Sequence, residues 1–248
     1  MANWNDPQPR QTGFGASGSL NGEAIGQGAG YDMGLRKHML SIYNYMASGV
    51  LLTGIVAMLT ASSGLVYTLM SGPLAWIVML SPLAIVFAMS FGQNKFSTPT
   101  LQAMFWGFAV LMGLSLSSIF VIYTGESIAT TFFATAGAFA GLSLFGYTTK
   151  KDLSGFGTFL IMGVIGLFIA MIVNMFMQST MLELAISALG VLIFAGLTAY
   201  DTQKLKHMYY HVAGTEFAGK AVVLGALNLY LDFINMFLFL LRFMGQRD

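Results

Sequence analysis

Seven long apolar segments, each nearly free of charged side chains, limit this chain to very few kinds of fold. They cover residues 41–61, 73–92, 101–123, 128–147, 157–177, 183–203 and 221–243. A helix needs about 20 residues to cross the roughly 30 Å hydrocarbon core of a bilayer, and each segment reaches that length. Only 8% of the residues are charged, against about 25% in soluble domains. The sequence therefore predicts an all-α polytopic membrane protein with seven transmembrane helices.

The basic residues between these segments are distributed unevenly. With seven spans, nine Lys and Arg residues fall on the side of the N-terminus, and only Arg242 and Arg247 fall on the other side. Because positively charged loops stay in the cytoplasm, we expect a cytoplasmic N-terminus and an external C-terminus. If the last segment instead entered the membrane and returned, all eleven basic residues would lie inside. The length of 221–243 favours a full span.

The first 38 residues have a different composition. They are rich in Gly, Ser, Asn and Gln and lack periodic apolar residues. Such a segment cannot bury enough apolar surface to offset the entropy of ordering. We therefore expect a disordered cytoplasmic tail at 1–38 and a seven-helix transmembrane domain at 39–248.

Composition also excludes several classes of function. The net charge of +1 argues against a nucleic-acid partner. The absence of cysteine rules out disulfides, thiol chemistry and cysteine metal sites. No cofactor motif and no pairing of a nucleophile with a base is visible, so we expect neither an enzyme nor a resident cofactor.

Glycines recur inside the apolar segments. In lipid, small residues allow two helices to approach closely, and this is the role that we expect for them. The glycines in question are Gly107, Gly113, Gly137, Gly141, Gly163 and Gly166.

An acidic residue lies in the middle of the last apolar segment. Placing the carboxylate of Asp232 in hydrocarbon costs roughly 2.5–3.5 kcal/mol on insertion scales, so this side chain must face protein or water. Asn228 precedes it by four residues and Asn235 follows it by three, which places all three on one face of a helix. The seventh helix is therefore predicted to turn a narrow polar face toward the interior of the bundle.

A second acidic residue, Asp201, lies near the end of the sixth segment. Thr198 and Lys204 share its helix face at spacings of three residues. The sixth helix ends, and the seventh begins, on the cytoplasmic side. The two carboxyl groups can meet only if the sixth helix continues past Lys204 or the seventh enters the membrane late.

Two carboxyl groups that met in a poorly solvated site would share one proton. Loss of that proton would create adjacent negative charges that repel each other, attract Lys204 or hold a divalent cation such as Ca²⁺ through their oxygens. In each case the pH would influence how the sixth and seventh helices lie relative to each other. The alternative is a purely structural role for these acids in holding the bundle together.

Four ordered motifs resemble the Bax inhibitor-1 (TMBIM) family, and most closely its bacterial YccA-like members. They are Leu229-Tyr230-Leu231-Asp232-Phe233-Ile234-Asn235, Tyr200-Asp201-Thr202-Gln203, Gly113 to Phe120, and Lys150-Lys151-Asp152-Leu153-Ser154. The resemblance runs from about residue 40 to 245. It implies a central last helix wrapped by the other six, in a bacterial inner membrane.

The resemblance also implies a function, a pH-sensitive calcium leak in which Asp201 and Asp232 are the proton sensor and a transient calcium site. Some family members carry a basic latch residue at the end of the second helix. Here that helix has no Arg and the nearest cation is Lys95, so this chain departs from the family's latch. The alternative hypothesis is a regulatory protein that binds and modulates a membrane-bound quality-control protease, with the tail at 1–38 as its binding segment. A proton-coupled transporter would also suit a carboxylate that cycles its proton.

Overall fold

The computed structural model describes the backbone of residues 20–247 and the side chains of residues 33–247. In that part, nine α-helices follow one another along the chain. They are α1 (Leu20–Ser62), α2 (Leu65–Leu69), α3 (Gly72–Gly92), α4 (Thr98–Leu116), α5 (Ile119–Ile122), α6 (Gly125–Thr148), α7 (Ser154–Met177), α8 (Thr180–Val212) and α9 (Phe217–Met244).

Seven of the described helical stretches are long and apolar enough to cross a membrane. These are α1 from Met33 onward, α3, α4 together with α5, α6, α7, α8 and α9. Each contains the greater part of one apolar segment of the sequence. The prediction of an all-α protein with seven transmembrane helices is confirmed.

The chain divides into two units, Met1–Lys37 and His38–Asp248. In the first unit, the described residues 20–37 form the beginning of α1, within the stretch for which we expected a disordered tail. The rest of that stretch, residues 1–19, lies outside the described residues. The tail at 1–38 therefore stays a prediction.

Several helix starts are fixed by local side-chain chemistry. Ser97 caps α4 by accepting a hydrogen bond from the Thr100 amide at 3.3 Å, and Thr124 and Ser179 cap α6 and α8 in the same way. Proline occupies the first turn of both α3 and α4, where an amide hydrogen has no helical partner to lose. These caps place the helix boundaries within a few residues of the ends of the apolar segments.

The last helix forms the axis of the second unit. Two-thirds (67%) of the most apolar stretch of α9 is buried, against 33% or less in every other span. It packs against α8, α6 and α4, and the Tyr230 hydroxyl reaches Thr53 of α1 at 2.7 Å. The predicted central C-terminal helix is thereby confirmed.

The glycines separate into close contacts and open positions. A Cβ on Gly113 would lie 2.8 Å from the Thr53 carbonyl oxygen, so α4 and α1 approach closely there as predicted, and Gly163 is similarly crowded by Ile193. The prediction of close approach is wrong at four positions where a Cβ would meet nothing within 4 Å. Those positions are Gly107, Gly137, Gly141 and Gly166. A tighter approach involves Gly146 of α6, which lies directly against the Ala199 carbonyl of α8.

Candidate functional site

The two acidic residues lie on α8 and α9, which are consecutive helices joined by residues 213–216. Helix α8 continues to Val212, nine residues past the end of the sixth apolar segment at 203. At a rise of 1.5 Å per residue, Asp201 lies about 16 Å before the end of α8 and Asp232 about 22 Å after the start of α9. This continuation fulfils the condition under which the two side chains can meet.

The side chains of Asp201 and Asp232 lie close enough for their carboxyl groups to interact. Asp232 is only 5% exposed, whereas Asp201 is half-buried. Two carboxylates offer only acceptors, so a hydrogen bond between them requires that one carboxyl group carries a proton. The site therefore places a buried carboxyl group of α9 beside a half-buried one of α8, where a shared proton can join them.

One oxygen of the deeper carboxyl group has no partner among the described residues. Asp232 Oδ2 is buried and accepts no hydrogen bond from a protein group. Buried polar atoms are normally satisfied, and an unsatisfied one costs about 1–3 kcal/mol. A proton at this oxygen, including one shared with Asp201, or a cation would satisfy it.

Lys204, three residues after Asp201 on α8, supplies a positive charge near the pair. Its ammonium group acts electrostatically on both Asp201 and Asp232. The Lys204 side chain is exposed, and its Nζ lies 5.9 Å from the centre of the Tyr200 ring. Lys204 therefore lies near the pair with its side chain exposed, and its supporting role stays a prediction.

The other predicted members of the polar face do not contact the carboxyl groups. The Thr198 hydroxyl donates to the Phe194 carbonyl at 2.8 Å, and the Asn235 amide donates to the Leu231 carbonyl at 2.8 Å. Both bonds stay within one helix. Asn228 is half-buried and makes no side-chain hydrogen bond to another described residue. Their role as a supporting face stays a prediction.

Gln203, two residues after Asp201, holds the α6–α7 connection against α8. Its Nε2 donates to the Lys151 carbonyl at 2.8 Å, and its Oε1 accepts from the Leu153 amide at 2.9 Å. Next to it, the Thr202 hydroxyl meets the Ser143 hydroxyl of α6 at 3.4 Å. From the sequence, Gln203 is predicted only to be part of the Tyr200-Asp201-Thr202-Gln203 motif. A long polar side chain at the end of an apolar segment is a signal that could have identified this clamp.

The register of α9 is fixed by Tyr230, two residues before Asp232. Thr53 donates its hydroxyl proton to the Ala109 carbonyl at 2.8 Å, so the Tyr230 hydroxyl must donate to Thr53 at 2.7 Å. The Tyr230 ring packs edge-on against Phe105 and Phe108. Helices α1, α4 and α9 are thereby tied together at the depth of the carboxyl pair.

The site offers few oxygen ligands for a cation. Among the described residues, no group of three or more His, Cys, Asp or Glu side chains is arranged to hold a metal ion. Calcium takes six to eight oxygen ligands in proteins. Asp201 and Asp232 can supply only some of these, so a cation here would keep much of its hydration shell.

Comparison with known proteins gives a consistent result. The family model described as "Inhibitor of apoptosis-promoting Bax1" matches residues 35–248. The "Inner membrane protein YbhL" of Escherichia coli is 45% identical, covering 86% of this chain and 93% of that protein. A protein of Caulobacter vibrioides is 49% identical (86% and 90% covered), and one of Rickettsia prowazekii is 46% identical (88% and 92% covered).

Proposed function

Because this chain belongs to the Bax inhibitor-1 family of membrane proteins, we propose that it is a pH-sensitive calcium (cation) leak pathway gated by the Asp201–Asp232 pair. The observation that carries the proposal is the proximity of these two carboxyl groups, one on α8 and the other on the central helix. Calcium is the permeating substrate, and the pair is both its transient ligand and the proton sensor.

Deprotonation of the pair would change the forces between the two helices. Two unit charges about 4 Å apart repel by about 4 kcal/mol at an effective dielectric constant of roughly 20. That energy can separate the helices unless a cation or the Lys204 ammonium group compensates for it. A bound proton removes the repulsion, so proton and calcium compete for the same oxygens.

A calcium flux assay tests this proposal. The protein is reconstituted into liposomes that contain a calcium dye, and influx is measured over a range of pH for the wild type, Asp201→Asn and Asp232→Asn. We expect the flux of the wild type to change with pH and that of both variants to lose the pH response, because an amide cannot exchange a proton. Identical, pH-independent fluxes in all three proteins would contradict the proposal.

Asp152→Asn is the matched control. Asp152 lies between α6 and α7, outside the spans, and accepts a hydrogen bond from the Ser154 amide at 2.9 Å. Hydrogen bonds from Ser154 lower the pKa of Asp152. This carboxylate therefore stays ionised near neutral pH, so the variant should keep the pH response of the wild type.

We also propose that the protein lies in a bacterial inner membrane with its N-terminus in the cytoplasm. The printed name of the Escherichia coli relative and the distribution of Lys and Arg support this placement. The alternative function, modulation of a membrane-bound protease, depends on the segment 1–38, of which 1–19 lie outside the described residues. A pull-down with and without that segment would test it.

A further inference from the structure

An apolar groove of about 290 Å³ lies between α1, the end of α4, α5, α6 and the central helix. Its floor is formed by Phe233, Ile234 and Phe237 of α9, all less than 10% exposed. Thr53 is the residue in its lining that can form a side-chain hydrogen bond, and that hydroxyl is already engaged with Ala109 and Tyr230. A ligand that needs a polar contact would find no free donor or acceptor side chain here.

The groove opens to the membrane. Phe133 of α6, which lines it, is 73% exposed, and Gly54 of α1 and Ala129 of α6 are exposed as well. Gly54 lies among exposed apolar side chains of α1, including Leu51 and Ile55. In a seven-span protein such side chains face hydrocarbon. The groove is thus continuous with the lipid-facing surface of the bundle.

The size of the groove limits what can enter it. An α-helix with its side chains is about 10–12 Å across, which is too wide for a transmembrane helix of a partner protein to fill this space. An apolar cavity of about 150 Å³ can hold a benzene ring. A methylene group takes roughly 30 Å³, about the volume of one water molecule in the liquid, so the groove holds on the order of ten methylenes. A hydrocarbon chain fits this volume.

From this position, lining and volume, we propose that the groove binds one acyl chain of a membrane phospholipid. The chain would enter between Gly54 and Phe133 and lie against Phe233, the residue that follows Asp232. Filling the groove is favourable because an empty apolar cleft forfeits the dispersion contacts of its lining. This inference does not depend on the proposed calcium flux.

Quenching of tryptophan fluorescence by brominated lipid tests the proposal. Trp4, Trp76 and Trp106 are replaced by Phe, and a single reporter is introduced by Phe120→Trp in the groove or by Phe168→Trp on the exposed face of α7. The proteins are reconstituted into vesicles of phosphatidylcholine that carries bromine on its acyl chains. We expect both reporters to be quenched, the first by the chain in the groove and the second by surrounding lipid.

An occluding substitution separates these two sources of quenching. A Cβ on Gly54 meets nothing within 4 Å, so Gly54→Leu can be accommodated. We expect it to reduce the quenching of the Phe120 reporter by roughly half or more, because the leucine takes the volume that the acyl chain needs. Gly166→Leu, at an equally open position on α7, is the matched control and should leave both reporters unchanged.

Two results would overturn the proposal. One is a Phe120 reporter that brominated lipid does not quench, and the other is quenching that Gly54→Leu leaves unchanged in a folded protein. Folding is checked by circular dichroism and size-exclusion chromatography. If Gly54→Leu does not fold, Ala129→Leu occludes the same groove from α6 and the same criteria apply. Either negative result leaves the calcium flux proposal intact, because the assay measures no flux.

Discussion

The hydroxyl group of Thr53 joins three helices with two hydrogen bonds. It donates to Ala109 of α4 and accepts from Tyr230 of α9, and its side chain is buried. Tyr230 is fully buried too, so its hydroxyl has no access to water as a substitute partner. At the scale of the residue, the position of the central helix therefore depends on one small polar side chain of α1.

Thr53→Val should destabilise the protein more than Tyr230→Phe. The valine leaves the buried Tyr230 hydroxyl without a partner, which costs about 1–3 kcal/mol. The phenylalanine removes that hydroxyl and leaves only the Thr53 oxygen with an unused acceptor site, which costs about 0.5–1.5 kcal/mol. The free energy of unfolding in detergent micelles measures both. Thr60→Val is the control, because the Thr60 hydroxyl bonds only to the Val56 carbonyl within α1. A loss of stability as large in the control as in Thr53→Val would refute this assignment.

Contacts between whole helices determine how α8 presents Asp201. Gly146 brings α6 against the Ala199 carbonyl, and Gln203 fastens the α6–α7 connection to the same part of α8. These contacts flank Asp201 on both sides along the helix. At the scale of the element, α8 is thus held by its neighbours close to the carboxyl pair, and α9 is held by Tyr230.

Gly146→Ala should separate α6 from α8 and destabilise the protein. The added methyl group would meet backbone rather than a movable side chain, and overpacking of this kind costs about 1–3 kcal/mol. Gly137→Ala in the same helix is the matched control, since its Cβ meets nothing within 4 Å and alanine favours helix by up to about 1 kcal/mol. Thermal unfolding in detergent measures the effect. We expect Gly146→Ala to lower Tm and Gly137→Ala to leave it unchanged or raise it. Equal Tm values for the two variants would exclude this packing role.

Seven spans, an odd number, place the segment before the first span and the segment after the last span on opposite sides of the membrane. The seven spans confirm the count on which the charge argument depends. Most Lys and Arg residues then lie on one side, whereas the ion pair of Arg247 with Glu183 at 3.0 Å lies at the other end, near the starts of α6 and α8. Both side chains of that pair are largely exposed, so it contributes little stability.

Single cysteines report the orientation directly, because the natural chain contains none. Lys151→Cys lies in the α6–α7 connection and Glu126→Cys in the first turn of α6 at the opposite end. In intact spheroplasts, a thiol reagent that does not cross membranes should label Glu126→Cys and should label Lys151→Cys only after lysis. The reverse pattern would place the N-terminus outside and overturn the charge argument.

The sequence by itself determined the features that depend on composition and on local spacing. Seven apolar segments were sufficient to predict seven spans, because crossing hydrocarbon demands a minimum length and few charges. An acidic residue between two asparagines marked the last helix as one that avoids lipid, and that helix is the buried axis of the bundle. The free-energy cost of a charged side chain in hydrocarbon depends on that residue alone. It can therefore be inferred from the sequence without knowing which residues pack around it.

Only the tertiary structure decided which groups meet. The pairing of Asp201 with Asp232 required α8 to continue to Val212, in a stretch that hydropathy does not distinguish from a loop. The clamp of Gln203, the approach at Gly146 and the openness of Gly137 and Gly141 all depend on contacts between helices distant in sequence. Such contacts arise from the mutual fit of several surfaces, and periodicity within one helix contains no information about its partner. The sequence was therefore sufficient to identify Asp201 and Asp232 as the residues of interest. It did not predict how their carboxyl groups lie relative to each other.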